Sequence, residues 1–505
     1  MPRPHASESE TPRVAPVASL LSWLHLAAAI ACAAYVTSLA PSLKLPPLNA
    51  TPGVGWIAFW AVALTICGTS PWRPMAGLLS FVILCYAVPR YEPAYVAMLR
   101  LHVLNYAAAL ALTGWIVARM RSARRGDGVG APGPHGPFPW LHAIMFAFIG
   151  WLAICGFVAV LRGHPWDPHP NHHPERFGHA LVVFVLASQL LRSPRAAAAF
   201  CFTLGAALIA RWIISADVKL EGDVSALSVM AMPLMFLGFH AAAESSKSPA
   251  PPGAGPDRVE RAASGVVLLR IAFAGMLIAL VVLLSLTRNR NGAVAFAVML
   301  PALWIASLKK GRALAAGLPV VLLIGSLFVG SAYFERFRAL ITGSNDANSA
   351  KHRLVIWNAA WKMTLANPVM GVGTGNFHNV VGRYGSASET TGKTGLEDDE
   401  YAAHNSVIHV LGDSGFPGGA LYIALFGGAV IAAGASARGR GATWPGPAGR
   451  MLFVALCVYL SIGLFISRHD MSLGYLLAGW AAGLRCVAPG EPGSPILVRY
   501  PRSAP

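Results

Sequence analysis

The residues with the clearest capacity for chemistry run His404-Asn405-Ser406-Val407-Ile408-His409-Val410-Leu411-Gly412-Asp413-Ser414-Gly415-Phe416-Pro417-Gly418. They begin where the longest polar segment of the chain ends and a new apolar run starts. His404 and Asn405 therefore sit at the lip of an expected membrane helix, with Asp413 further in. Near neutral pH an uncharged imidazole can take a proton from an attacking hydroxyl, so His404 has the chemistry of a general base. Glu400, four residues earlier, could orient it if the helix reaches that far. The Gly-Phe-Pro-Gly that follows should break or kink the helix, because glycine lacks a Cβ and proline lacks the N–H the ladder needs. Irregular backbone at membrane depth is tolerated only where protein or a wet cavity covers it. This stretch reads as one wall of an active site.

Arginines supply the facing charge. Arg211 falls near the outer end of an apolar run, Arg288 and Arg290 flank Asn289 at the outer end of another, and Arg468 with His469 occupies a further outer turn. An arginine within a membrane costs about 2.5–3.5 kcal/mol on insertion scales, so something usually compensates. Snorkelling to the headgroups explains any one of them. As a set, their planar forks match pairs of phosphate oxygens and would hold a diphosphate beside His404.

The elements that must position these groups are legible in the composition. Of 505 residues, 55% are hydrophobic and 12% charged, against about 25% charged in soluble domains. The chain divides into apolar runs of membrane-spanning length. The expected fold is all-α: a polytopic membrane protein with 12–14 transmembrane helices and one large outer loop containing short helices. Candidate spans are 17–39, 54–69, 74–89, 98–118, 140–161, 178–192, 196–215, 223–243, 264–286, 291–308, 313–332, 404–434, 450–467 and 471–487. With the first 16 residues as a cytoplasmic tail before a retained first helix, the Lys/Arg clusters 119–125, 192–195, 309–312 and 438–440 all fall inside. The expected organisation is then helices over 17–332, a large outer loop over 333–403, helices over 404–487 and an inner tail over 488–505. Segments 122–138 and 244–262 are rich in Pro, Gly and Ser and read as linkers. Residues 353–363 read as an amphipathic helix lying against the membrane domain. The formal charge of +17 follows the positive-inside pattern and does not form a stripe, which argues against nucleic acid as a partner. Seven cysteines lie in or beside apolar runs with no CxxC spacing, so neither a disulfide framework nor a zinc site is expected.

Three motifs fall short. Gly371-Val372-Gly373-Thr374-Gly375-Asn376 resembles a dinucleotide fingerprint, but Asn376 stands where its last glycine belongs and no βαβ unit surrounds it. Gly392-Lys393-Thr394 ends like a P-loop, yet Ala387 replaces the leading glycine. His164, His169, His172, His173, Glu175 and His179 carry metal-ligand chemistry, but the intervening prolines spoil helical ligand spacing. No cofactor and no metal is expected.

Together these elements resemble the O-antigen ligase and polymerase superfamily of bacterial inner-membrane glycosyltransferases. The resemblance rests on Thr287-Arg288-Asn289-Arg290, Arg353 with Trp357, Asn367-Pro368 through Phe377, Ala403-His404-Asn405-Ser406 and Gly415-Phe416-Pro417-Gly418, over the C-terminal half. Arg211 fits an upstream family arginine less specifically. Asn289 stands where the family usually has serine, so Arg290 aligns better and Arg288 stays a candidate. The resemblance implies a glycan donor on undecaprenyl diphosphate and an acceptor hydroxyl on the lipid A core, joined at the periplasmic face without a metal. It also implies that the outer arginines hold the diphosphate and that His404 activates or positions the acceptor. With the residues read above, the expected site has His404, Arg290 and Arg211 as catalytic groups and Arg288, Arg353, Asn405, Asp413 and Arg468 binding substrate. The family's polymerases and protein ligases share this chemistry. A lipid-linked saccharide transporter would use the same arginines for binding alone, and should carry polar groups through the midplane too.

Overall fold

The computed structural model describes residues 15–39, 54–89, 93–124, 139–163, 175–214, 222–246, 256–287, 290–308, 346–385, 402–438, 444–467 and 471–484. Among these residues there are sixteen α-helices and no strand. In order they are α1 (Ala15–Leu39), α2 (Val54–Gly68), α3 (Pro74–Ala87), α4 (Pro93–Arg100), α5 (Val103–Arg124), α6 (Pro139–Leu161), α7 (Glu175–Leu190), α8 (Pro194–Ile214), α9 (Gly222–Ser246), α10 (Pro256–Thr287) and α11 (Arg290–Ala306). Then follow α12 (Asp346–Ala366), α13 (Phe377–Val381), α14 (Ser406–Ala437), α15 (Gly446–Gly463) and α16 (Ser472–Gly483). Proline opens α3, α4, α6, α8 and α10, where its missing N–H costs nothing and its fixed φ suits the first turn.

Eight of these helices contain stretches long and apolar enough to cross a membrane, and four more apolar helices are shorter. The all-α polytopic fold is therefore observed. The span expected over 313–332 lies outside the described residues. The span expected over 98–118 is divided: the chain turns at Leu101 and His102, where His102 has a φ of +52°. α4 stops there, and α5 runs on to Arg124.

The chain forms two compact units. In the first, α1 packs on α2 and α5, and α4 on α5. Its buried polar centre is His25, whose Nε2 lies 3.3 Å from Ser70 Oγ and whose Nδ1 lies 3.4 Å from Thr113 Oγ1.

The second unit holds α6 to α16. α9 packs on α8, α10, α11 and α15, while α14 packs on α6, α12, α15 and α16. α7 and α16 approach closely because Gly479 and Gly483 face backbone: a Cβ at either would collide with Phe184 or Ser188. Small residues four apart are a common device for tight contact between membrane helices. α12 packs Ile356, Ala359, Ala360 and Met363 into a core with Val372, Phe377, Val380, Val381 and Ala403. It is not amphipathic in the simple sense expected. Leu354, Trp361 and Leu365, on the opposite face, are apolar and exposed.

Candidate active site

The site is assembled at the N-terminus of α14. Asn405 is the N-cap, and its Oδ1 accepts from Val407 N at 3.0 Å and Ile408 N at 3.1 Å. An asparagine there satisfies amides that the first helical turn leaves without partners. Its Nδ2 donates to Leu464 O at 3.3 Å, and Ser406 Oγ donates to Ile466 O at 3.1 Å. The segment after α15 is thus tied to the start of α14. That segment leads directly to Arg468 in sequence.

His404 precedes the cap with a φ of +47°, a conformation that histidine tolerates better than branched residues. It is partly exposed between buried Ala403 and buried Asn405. Ala403 is fixed from the other side, because its carbonyl accepts from Trp357 Nε1 at 2.6 Å. Arg353 lies one turn before Trp357 on the same face of α12. The fold therefore brings the Arg353 turn, His404 and the Ser467 segment to one place.

Below this lip α14 breaks at Gly415, with φ +68° and ψ −172°, a region open essentially only to glycine. A break leaves backbone groups without helical partners, and at membrane depth they must be satisfied. The loop between α12 and α13 does this. Val372 N donates to Gly412 O at 3.0 Å, Gly373 N to Asp413 O at 2.9 Å, and Phe416 N to Pro368 O at 2.8 Å. Trp151 Nε1 of α6 donates to Ser414 O at 2.9 Å. The run 371–376, which resembles a dinucleotide fingerprint, is thus a loop inserted against a broken helix. Gly371, at φ +60°, leaves no room for a Cβ against the backbone of Gly412 and Asp413.

Asp413, expected on substrate, is 2% exposed. Its carboxylate accepts from Gly375 N at 3.0 Å and from Phe377 N at 2.9 Å. His409 stands behind the lip, fully buried. Its Nδ1 is 3.3 Å from Ser467 Oγ, its Nε2 is 3.7 Å from Asp413 Oδ2, and its ring stacks on Phe377 with centroids 4.4 Å apart. Sequence reasoning does not single out His409. The available signal is its spacing of four from Asp413, which puts both on one face of a helix.

Arg211 lies in the last turn of α8 and is 1% exposed. Arg290 begins α11, two residues before Gly292, whose missing Cβ lets α11 approach Ser225 in the first turns of α9. The far end of the unit is marked by Trp444 Nε1, which donates to Arg192 O at 2.7 Å between α7 and α8. The end of α8 that carries Arg211 is therefore at the same end of the unit as the start of α14. Arg288, Arg468, Glu400 and His164 to His173 lie outside the described residues, as do the side chains of Arg290 and Glu175. Among the described residues, no group of three or more His, Cys, Asp or Glu could hold a metal ion. The six described cysteines are free thiols.

The fold and this arrangement define a multi-pass helical membrane protein with a polar site at one end of a broken helix. A family model described as O-Antigen ligase matches residues 273–423. The match takes in Arg288, Arg290, Arg353, His404 and Asp413, and it supports the O-antigen ligase and polymerase superfamily as the one this chain resembles. None of the curated proteins compared matches the chain.

Proposed function

We propose that this chain is an O-antigen ligase of the bacterial inner membrane, with its site on the periplasmic face. It would transfer glycan from undecaprenyl diphosphate to a hydroxyl of the lipid A core. The observation that carries this reading is His404, held at the lip between Trp357 and the Asn405 cap, beside the segments that carry Arg353 and lead to Arg468. The acceptor hydroxyl attacks the anomeric carbon, His404 takes its proton, and the bond from that carbon to the diphosphate oxygen breaks. Undecaprenyl diphosphate leaves with the bonding electrons. Its growing charge is met by Arg211, Arg290 or Arg288, Arg353 and Arg468, because preorganised positive groups favour the transition state over the ground state. These guanidinium groups supply the charge that a divalent ion gives soluble transferases. Asn405 and Asp413 act by positioning: the first caps α14, and the second holds the loop.

The test uses the full chain in detergent with lipid-linked O-antigen, lipid A core and EDTA, read as a gel shift of the lipopolysaccharide. Glycan appearing on the core supports the reading. Longer lipid-linked chains would instead identify a polymerase, and donor binding without transfer to any acceptor would point to a transporter.

A further inference from the structure

α12 has two apolar faces, and among the described residues only one is covered by protein. At 100° per residue, Leu354, Trp361 and Leu365 lie within about 40° of one another, opposite the face that packs Ile356, Ala360 and Met363. With Phe416 they are each 39–61% exposed. Two observations on the same unit say what covers them.

The first is continuity. Trp361 meets Phe416 edge to face, with ring centroids 5.8 Å apart. Phe416 heads an exposed line down α14 that continues through Ala420, Ile423 and Ile431 at spacings of four, three and eight. That line is an exposed apolar stripe on a helix long and apolar enough to cross a membrane, and the exposed face of α12 extends it. The second is depth. The lower part of α14, 416–437, is about 33 Å long at 1.5 Å per residue, against a hydrocarbon core of about 30 Å. Phe416 therefore lies at the boundary of the hydrocarbon, and Trp361, in contact with it, lies at the same level, while Trp357, bonded to Ala403, lies nearer the lip. A tryptophan suits that depth. Lys362, exposed on the flank of the stripe, can lay its stem along the apolar face and keep its ammonium among headgroups.

We propose that the outward face of α12 is embedded in the bilayer, with Trp361 and Leu365 against phospholipid acyl chains and Leu354, nearer the lip, at headgroup level. The helix is then clamped between the protein core and the lipid, and the bilayer helps to hold Arg353 and Trp357 beside His404. The embedding does not depend on which reaction the chain performs.

The test places a photoreactive benzoylphenylalanine in the full chain, as Leu354→benzoylphenylalanine or Leu365→benzoylphenylalanine, in phospholipid nanodiscs. Adducts are read by mass spectrometry. Ile423→benzoylphenylalanine, on the spanning helix, reports insertion in each preparation, and Arg383→benzoylphenylalanine, on an exposed turn, gives the background. Phospholipid adducts at 365 within about twofold of those at 423, and at 354 clearly above those at 383, are expected for a helix whose lower half is sunk to the acyl boundary. Adducts at the level of position 383, or crosslinks to a second copy of the chain in place of lipid, would overturn the proposal.

Discussion

At the scale of single residues, three groups around the lip take different parts. His404 presents the imidazole, Asn405 caps the helix and Asp413 grips the loop. Histidine and asparagine both tolerate a positive φ, so His404→Asn keeps the backbone and removes the proposed base. Transfer in the gel-shift assay should fall by about 10²- to 10⁴-fold, the usual contribution of a general base, with the protein still monodisperse in detergent. Near-normal transfer would remove His404 from the mechanism. Asp413→Ala leaves the Gly375 and Phe377 amides without their acceptor, at about 1–3 kcal/mol for each buried group. It should lower the thermal unfolding midpoint more than His404→Asn does. The sequence marks Asn405 and Asp413 by residue type, yet not by task. The partners of Asp413 lie 36 and 38 residues away in the chain, and no local pattern encodes such a pairing. His409 escapes a reading of the sequence for the same reason, since its contacts with Phe377 and Ser467 exist only in the folded chain.

At the scale of elements, the break in α14 is legible in the sequence and its complement is not. Gly-Phe-Pro-Gly announces an interruption through the chemistry of glycine and proline alone. The glycines at 371, 373 and 375 announce only a loop, because what they approach is another part of the chain. Gly415→Ala should cost about 1–3 kcal/mol from its backbone conformation alone. The added Cβ would also collide with the carbonyl oxygens of Pro368 and Val369, which raises the cost further. A lowered unfolding midpoint and reduced transfer are the expected results. Unchanged stability would mean that the break relaxes without the loop. The turn at His102 is equally hidden, because apolar residues continue on both sides of it and periodicity does not register one residue at positive φ.

At the scale of the whole molecule, hydropathy discloses the polytopic class, since burial in lipid demands long apolar runs whatever the packing. Which helices touch is decided by shape, as at Gly479 and Gly483, and a run of apolar letters says little about that. Loop charge predicts an orientation. Alkaline phosphatase fused after Gly163 should be active, and fusions after Arg124 or Arg438 inactive. The reverse pattern would put the lip of α14 in the cytoplasm and remove its access to a periplasmic acceptor. At the level of the assembled helices, Gly479→Val would push a branched side chain into the backbone of Phe184. Loss of the monodisperse peak on size exclusion is the expected outcome.

The interlock between the 367–377 loop and the break in α14 also constrains the order of assembly. The loop is synthesised first and has nothing to grip until α14 arrives. α14, in turn, enters the bilayer with the carbonyls of Gly412, Asp413 and Ser414 unanswered until Val372, Gly373 and Trp151 reach them. Neither piece reaches its final form alone, and the lip where His404 stands closes later still, when Leu464 and Ile466 after α15 reach Asn405 and Ser406.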